Sequence, residues 1–106
     1  MVTITRSDLT YGQQAVQSTH AAINFCFEHK GRAGPWFENS NYLVQLSVSN
    51  ENELLKLIEK CEKLEISYTI FREPDLNNSI TAIAIEPSPL TKKVVSHLPL
   101  LFKNLN

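Results

Sequence analysis

Residues Val2 to Arg6, "VTITR", alternate and carry β-branched side chains, which predicts a first strand. The turn-rich "SDLTYG" follows, and Gly12 to about Lys30 reads as one helix. On a 100° wheel Ala15, Thr19, Ala22, Ile23, Cys26 and Phe27 share a broad arc, which predicts the core face of that helix. Gln13, Gln17, His20 and Asn24 gather instead on a narrow polar stripe. The stretch "KGRAGPWFENSN", broken by Gly31, Gly34 and Pro35, predicts a long exposed loop. Tyr42 to Val48, "YLVQLSV", is the second expected strand. Asn50 is an expected N-cap, with Glu53 three residues on. In the second helix Leu54, Leu57, Ile58, Cys61 and Leu64 keep helical spacing, with Glu51 and Glu53 at its start and Lys60 and Lys63 toward its end, as the macrodipole favours. "SYTIFR" (Ser67 to Arg72) and "TAIAIEP" (Thr81 to Pro87) predict two more strands, joined by "EPDLNNSI". Ser88 then caps a last helix that begins at Pro89 and is stopped by Pro99. The order β-α-β-α-β-β-α predicts an α/β fold: a small mixed β-sheet of about four strands layered with helices on its faces.

Composition narrows this picture. A chain of 106 residues fits one domain, 1–106, able to bury a core without disulfides or a structural metal. Hydrophobic residues at 42% and charged ones at 20% argue against disorder. The longest apolar stretches fall far short of the roughly 20 residues of a spanning helix. The start "MVTITRSDL" lacks the basic-then-apolar pattern of a secretory signal, so no membrane association and a cytoplasmic location are expected. Cys26 and Cys61 form no CxxC and read as small hydrophobes, and no metal or cofactor is expected. Ten basic against eleven acidic residues give a net charge of -1, unlike a broadly basic nucleic-acid binder. Contact with RNA would need a local patch. Arg6, Lys30, Arg32 and Arg72, at the ends of expected elements, are its candidates.

The polar stripe carries the chemistry. No charged residue lies between Gly12 and Phe27, whereas a solvent face usually holds Lys and Glu, so four uncharged hydrogen-bonding groups suit the wall of a cleft. A plainer reading has His20 bonding a backbone carbonyl, His29 and His97 serving as caps or surface groups, and Thr81 selected for β propensity. Trp36 and Phe37, on this reading, cover the edge of the core.

Several motifs, in order, resemble the archaeal and eukaryotic type of peptidyl-tRNA hydrolase. They are "R-x-D-L" at Arg6, Asp8 and Leu9, a glycine at Gly12, "Q-x-x-H-A-A" at Gln17 to Ala22, Trp36 before the second strand, "E-x-x-L" opening the second helix, "T-A-I-A-I-E-P", and "K-V-V-S-H-L" at Lys93 to Leu98. The resemblance covers nearly the whole chain. It implies a compact α/β domain, commonly a homodimer, that cleaves the ester between a peptide and the 3′-terminal ribose of tRNA. It also implies a site made of a lysine at the start of the first helix, a glutamine one turn on, an aspartate and a threonine before the last strand, and a threonine opening that strand. The glutamine falls on Gln17, the helix histidine on His20 and the strand threonine on Thr81.

Two features depart from that pattern. Gln13 stands where the resemblance puts the lysine. The aspartate-bearing "D-A-G-x-T" is replaced by the shorter "F-R-E-P-D", leaving Glu73 and Asp75 as acidic candidates by proximity. Ester hydrolysis needs an activated water, donors for the developing oxyanion and a proton for the departing hydroxyl. Gln17, and more weakly Gln13, can donate to the carbonyl oxygen, His20 suits proton exchange near neutral pH, and Glu73 or Asp75 can orient or deprotonate water. Arg6, Arg72 and Asn24 complete the expected substrate contacts. The partner expected is thus a tRNA 3′ end carrying a peptide. Two alternatives stand beside it: a member that has lost catalysis and binds an RNA end or a protein, and a hydrolase of another small ester or amide. Exposed apolar stretches, "GPWFENSNYL" and the terminal "LPLLFKNLN", further suggest a homodimer.

Overall fold

A computed structural model describes residues 1–103. Its elements run β1 (Val2–Arg6), α1 (Tyr11–Glu28), α2 (Lys30–Asn39), β2 (Val44–Val48), α3 (Glu51–Lys63), β3 (Tyr68–Glu73), a 3₁₀ turn (Pro74–Leu76), β4 (Ser79–Ile85) and α4 (Pro89–Val95). The sheet order is β2-β1-β4-β3. β1 and β2 are parallel, while β4 is antiparallel to both β1 and β3. The mixed four-strand sheet is the one expected, with one helix more than the sequence pattern predicted. Residues 104–106, which end the apolar terminal stretch, lie outside the described residues.

Strand alternation splits the sheet into two unlike faces. Val2 and Ile4 of β1 and Ile83 and Ile85 of β4 turn to one side, where they meet Leu54, Leu57 and Cys61 of α3 and Val94 and Val95 of α4 in an aliphatic core. The expected spacing of the helix now labelled α3 is borne out at Leu54, Leu57 and Cys61, whereas Leu64 is exposed. Burial pushes the Cys61 thiol up to about 11, as suits a cysteine acting as a hydrophobe. The other face is small and polar: Thr3, Thr5 and Thr69, with Ala82 and Ala84, lie beneath α1.

That asymmetry overturns the expected orientation of the first helix. The residues α1 buries are Gln14, Gln17, Ser18, Ala21 and Phe25. Ala15, Thr19, Ile23 and Phe27 face outward, and Ala22 and Cys26 are only half-buried. The reason is the partner surface: a face of hydroxyls and alanines accepts small and hydrogen-bonding side chains at close approach, so the most apolar arc is not the buried one.

The expected loop at Lys30–Asn39 is a helix. Ala33 packs with Phe25, Ala82 and Ala84, the Arg32 guanidinium reaches the buried Glu86 carboxylate at 3.1 Å, and the Trp36 indole N–H donates to the Tyr42 carbonyl at 2.6 Å. These tertiary contacts override the poor helix propensity of Gly31, Gly34 and Pro35. Neither glycine has a positive φ, and a Cβ on either would meet nothing within 4 Å, so nothing in the structure requires glycine there. Trp36 covers the core edge as expected, while Phe37 is 67% exposed. His29 sits at the junction of α1 and α2 with its Nε2 2.9 Å from the Tyr68 carbonyl. Among the described residues no helix is long and apolar enough to cross a membrane.

Candidate active site

The register of β1, β3 and β4 brings Arg6, Glu73 and Ser79 to one end of the sheet, the end from which α1 departs. There the chain inserts a β-bulge. Phe71 pairs with Ala82 but Arg72 pairs with Ile80, so Thr81 is an extra residue on β4. Counting by twos from Ile85 and Ile83, Thr81 should turn toward the aliphatic core. The bulge rotates it to the α1 side, and its hydroxyl donates to the Gln17 Oε1 at 2.6 Å. Two neighbours fix the bulge: the Thr5 hydroxyl donates to the Thr81 carbonyl at 2.8 Å, and the Ile80 N–H donates to a Glu51 carboxylate oxygen at 2.7 Å.

Gln17 passes the connection on. Its Nε2 donates to the Glu73 Oε1 at 3.2 Å. The orientation of the amide follows from its partners, because a carboxylate only accepts and must face the NH₂, leaving the amide oxygen for the threonine. Thr81, Gln17 and Glu73 thus form one directed chain of hydrogen bonds across β4, α1 and β3. Thr81 is fully buried and Gln17 is 3% exposed, whereas Glu73 is half-buried. The expected concave wall of Gln17 and Thr81 is therefore packed, with Glu73 as the end of the chain that solvent reaches. After Glu73 the backbone turns through Pro74–Leu76, and Asn77 and Asn78 adopt left-handed φ values of 55° and 60°, which asparagine tolerates. Asp75 is exposed on this turn, two residues from Glu73.

The remaining expected site residues divide. Gln13 is the N3 partner of a capping box: the Thr10 hydroxyl accepts from the Gln13 N–H, and the Gln13 Oε1 accepts from the Thr10 N–H at 3.0 Å. Its carbonyl is thereby anchored at the mouth of α1, while its amide N–H groups have no partner among the described residues. His20 is exposed and joins no hydrogen bond in the array. Its ring lies flat on Phe71, with centroids 4.5 Å apart and planes 3° apart. Asn24 is half-buried two turns beyond Gln17, about 10 Å along the axis, and away from the array.

Arg6 is committed to structure. It pairs bidentately with Asp8 at 2.9 and 3.0 Å and reaches the Ile80 carbonyl at 3.2 Å, clamping the end of β1 to the start of β4. Hydrogen bonding to Asp8 raises its pKa above the ordinary value. Arg72 is exposed and bonds the Asn78 carbonyl at 3.3 Å, with no carboxylate partner among the described residues. Lys30 and Arg32 lie on α2, beyond the far end of α1, so the four basic candidates form no single patch. Sequence reasoning missed Gln14, whose amide N–H donates to the Leu9 carbonyl at 2.7 Å and sets the β1–α1 connection, and Phe71 under His20. The Thr10-x-x-Gln13 spacing was a readable sign of the helix start and of Gln13's capping bond. No group of three or more His, Cys, Asp or Glu side chains is placed to hold a metal ion among the described residues.

Comparison with known proteins gives concordant results. The chain matches the family model described as Peptidyl-tRNA hydrolase PTH2 over residues 1–101. It is 31% identical over 112 residues to the peptidyl-tRNA hydrolase of Thermococcus onnurineus strain NA1, spanning 94% of this chain and 95% of that one. A second peptidyl-tRNA hydrolase, from Staphylothermus marinus, is 31% identical over 101 residues, covering 86% and 84% of the two chains. A solved structure of a protein of unknown function, Atu0240 from Agrobacterium tumefaciens strain C58, superposes with a TM-score of 0.68 over 93% of this chain and 94% of that one. At 12% identity it shows likeness of fold alone. The family match takes in the strand that ends at Arg6, the helix that carries Gln17 and the bulged strand that carries Thr81, so the chain belongs to the Peptidyl-tRNA hydrolase PTH2 family.

Proposed function

We propose that this protein hydrolyses the ester between a peptide and the 3′-terminal ribose of tRNA, with Glu73 as the general base. The supporting observation is the Thr81–Gln17–Glu73 chain, which holds one carboxylate oxygen of the half-buried Glu73 and leaves the other without a hydrogen-bond partner among the described residues. Glu73 takes a proton from water as the water oxygen attacks the ester carbonyl carbon. The bond between that carbon and the ribose oxygen then breaks, and the ribose oxygen leaves with the proton returned by Glu73. Gln13, its carbonyl held by the Thr10 N–H, offers its amide N–H groups to the oxyanion. Arg72 meets a phosphate of the RNA, and Asp75 borders the water. Gln17 and Thr81 are positioning residues that act through Glu73. The work belongs to the cytoplasm, where peptidyl-tRNA is made.

One observation favours a second reading: the neutral, cap-bonded Gln13 replaces a fixed positive charge, as in a member that binds an RNA end without turnover. Mixing the purified protein with peptidyl-tRNA separates the two. Release of free tRNA is expected. Salt-dependent tRNA binding without release would favour the binding module, and neither binding nor release would point to another small ester or amide.

The protein also works as a homodimer in this proposal. Phe37, Tyr42 and Leu43 are 67%, 74% and 49% exposed. Tyr42 lines an apolar groove of about 770 Å³ with Val44, Leu46, Pro87, Pro89 and Val95, at the end of the sheet away from Glu73. Light scattering should give twice the chain mass, and Tyr42→Glu should return it to a single chain.

A further inference from the structure

We propose that the stacked His20–Phe71 pair is the seat of the terminal base of the RNA substrate, an inference that rests on the hydrolase reading above. Phe71 packs against the small-residue core beneath α1, so it is a fixed floor. His20 lies parallel on that floor and is exposed, with no hydrogen bond to hold it among the described residues. A flat heteroaromatic ring already immobilised by stacking and open to solvent is a surface on which another flat ring can continue the stack. The His20 ring also borders a shallow apolar hollow of about 250 Å³ lined by Ala15, Val16, Thr19 and Ile23. α1 has no charged residue from Tyr11 to Phe27, which suits a neutral base better than a phosphate.

Position supports the assignment. His20 stands one turn from Gln17, and Phe71 stands two residues before Glu73, so platform and catalytic array share the same two elements. In a nucleoside the base and the 3′ oxygen lie on either side of one ribose ring, a span comparable to a single helical turn of about 5.4 Å. A base resting on His20 therefore leaves the ester oxygen within reach of Glu73. Arg72, adjoining Phe71 in sequence, is exposed and bonds only the Asn78 carbonyl among the described residues, so its charge is open to the neighbouring phosphate. The competing occupants of the hollow are an apolar side chain of the peptide and a second copy of the chain.

A short single-stranded RNA ending in CCA, with 2-aminopurine as its last base, reports stacking by loss of fluorescence. The intact protein should quench it. His20→Ala should weaken binding roughly 5- to 150-fold, the range expected for one base–aromatic stack, and abolish the quenching, whereas His20→Phe should keep both. An RNA with the 2-aminopurine moved several nucleotides inward should bind without quenching. Equal quenching and affinity in the intact protein and His20→Ala would overturn the assignment. So would unchanged affinity for an RNA whose last nucleotide lacks its base, or a dimer that dissociates on Ile23→Lys. The hydrolase reading fails separately: it fails if the intact protein quenches the RNA but releases no tRNA from peptidyl-tRNA. Gln17→Ala should slow turnover about 10- to 100-fold and keep quenching.

Discussion

Glu73→Gln is expected to lower kcat for peptidyl-tRNA hydrolysis by about 100-fold or more, the usual contribution of a general base. The substitution nearly preserves shape, and the glutamine's carbonyl oxygen can still accept the Gln17 N–H that now reaches Glu73 at 3.2 Å. What disappears is the basic carboxylate oxygen that Gln17 does not hold. Because the residue is half-buried and keeps its hydrogen bond, unfolding free energy should stay within about 0.5 kcal/mol of the parent. KM should change little, since Arg72 and the surface of α1 are untouched. Single-turnover rates and thermal unfolding on the same preparations test this. An unchanged rate, together with a collapse on Asp75→Asn, would move the base two residues along the turn.

Gln17→Ala should damage both rate and stability. The amide is buried, accepts from Thr81 and donates to Glu73, so its removal strands a buried hydroxyl and frees the carboxylate. The Thr81 hydroxyl retains only the distant Phe71 carbonyl at 3.5 Å. Leaving a buried polar group without its partner costs about 1–3 kcal/mol. The loss in kcat should be about 10- to 100-fold, smaller than removal of the base itself, because Gln17 orients the group that reacts. A double-mutant cycle with Glu73→Gln distinguishes positioning from a direct role. If Gln17 acts through Glu73, adding Gln17→Ala to Glu73→Gln slows the reaction hardly further, while the stability cost persists. Full multiplication of the two rate losses would assign Gln17 a separate contact with the substrate.

Much of the fold was written in local pattern. β1 is Val2–Arg6 as the alternation of "VTITR" predicts, and Asn50 and Ser88 cap their helices by accepting the Glu53 and Thr91 N–H groups. Two errors have one physical origin, namely that tertiary partners outweigh intrinsic preference. Lys30–Asn39 is helical because Arg32, Ala33 and Trp36 find partners, and α1 buries glutamines because the strand face beneath it is hydroxyl and alanine. That second outcome had a trace in the strands, since "VTITR" and "TAIAI" both alternate large aliphatic residues with small or polar ones. Of the site, Gln17, Thr81 and Glu73 were recognisable as types. Their connection was not, because it depends on one unpaired residue in β4 that rotates Thr81 by half a strand period, and periodicity alone would have sent that hydroxyl to the opposite face. The stack of His20 on Phe71 joins residues 51 positions apart and left no periodic mark.

The unlike faces of the sheet also set how the molecule loosens. The α3 and α4 side is sealed by leucine, isoleucine and valine, whereas the α1 side is held largely by hydroxyls, amides and alanines, and includes two buried hydroxyls, Thr3 Oγ1 and Ser18 Oγ, without partners among the described residues. Fewer apolar contacts make local opening cheaper than global unfolding. In hydrogen exchange, the amides of α1 should therefore trade with solvent ahead of those in β1 and β4. The helix that carries Gln17 and His20 is the layer the protein can lift while its aliphatic half stays closed.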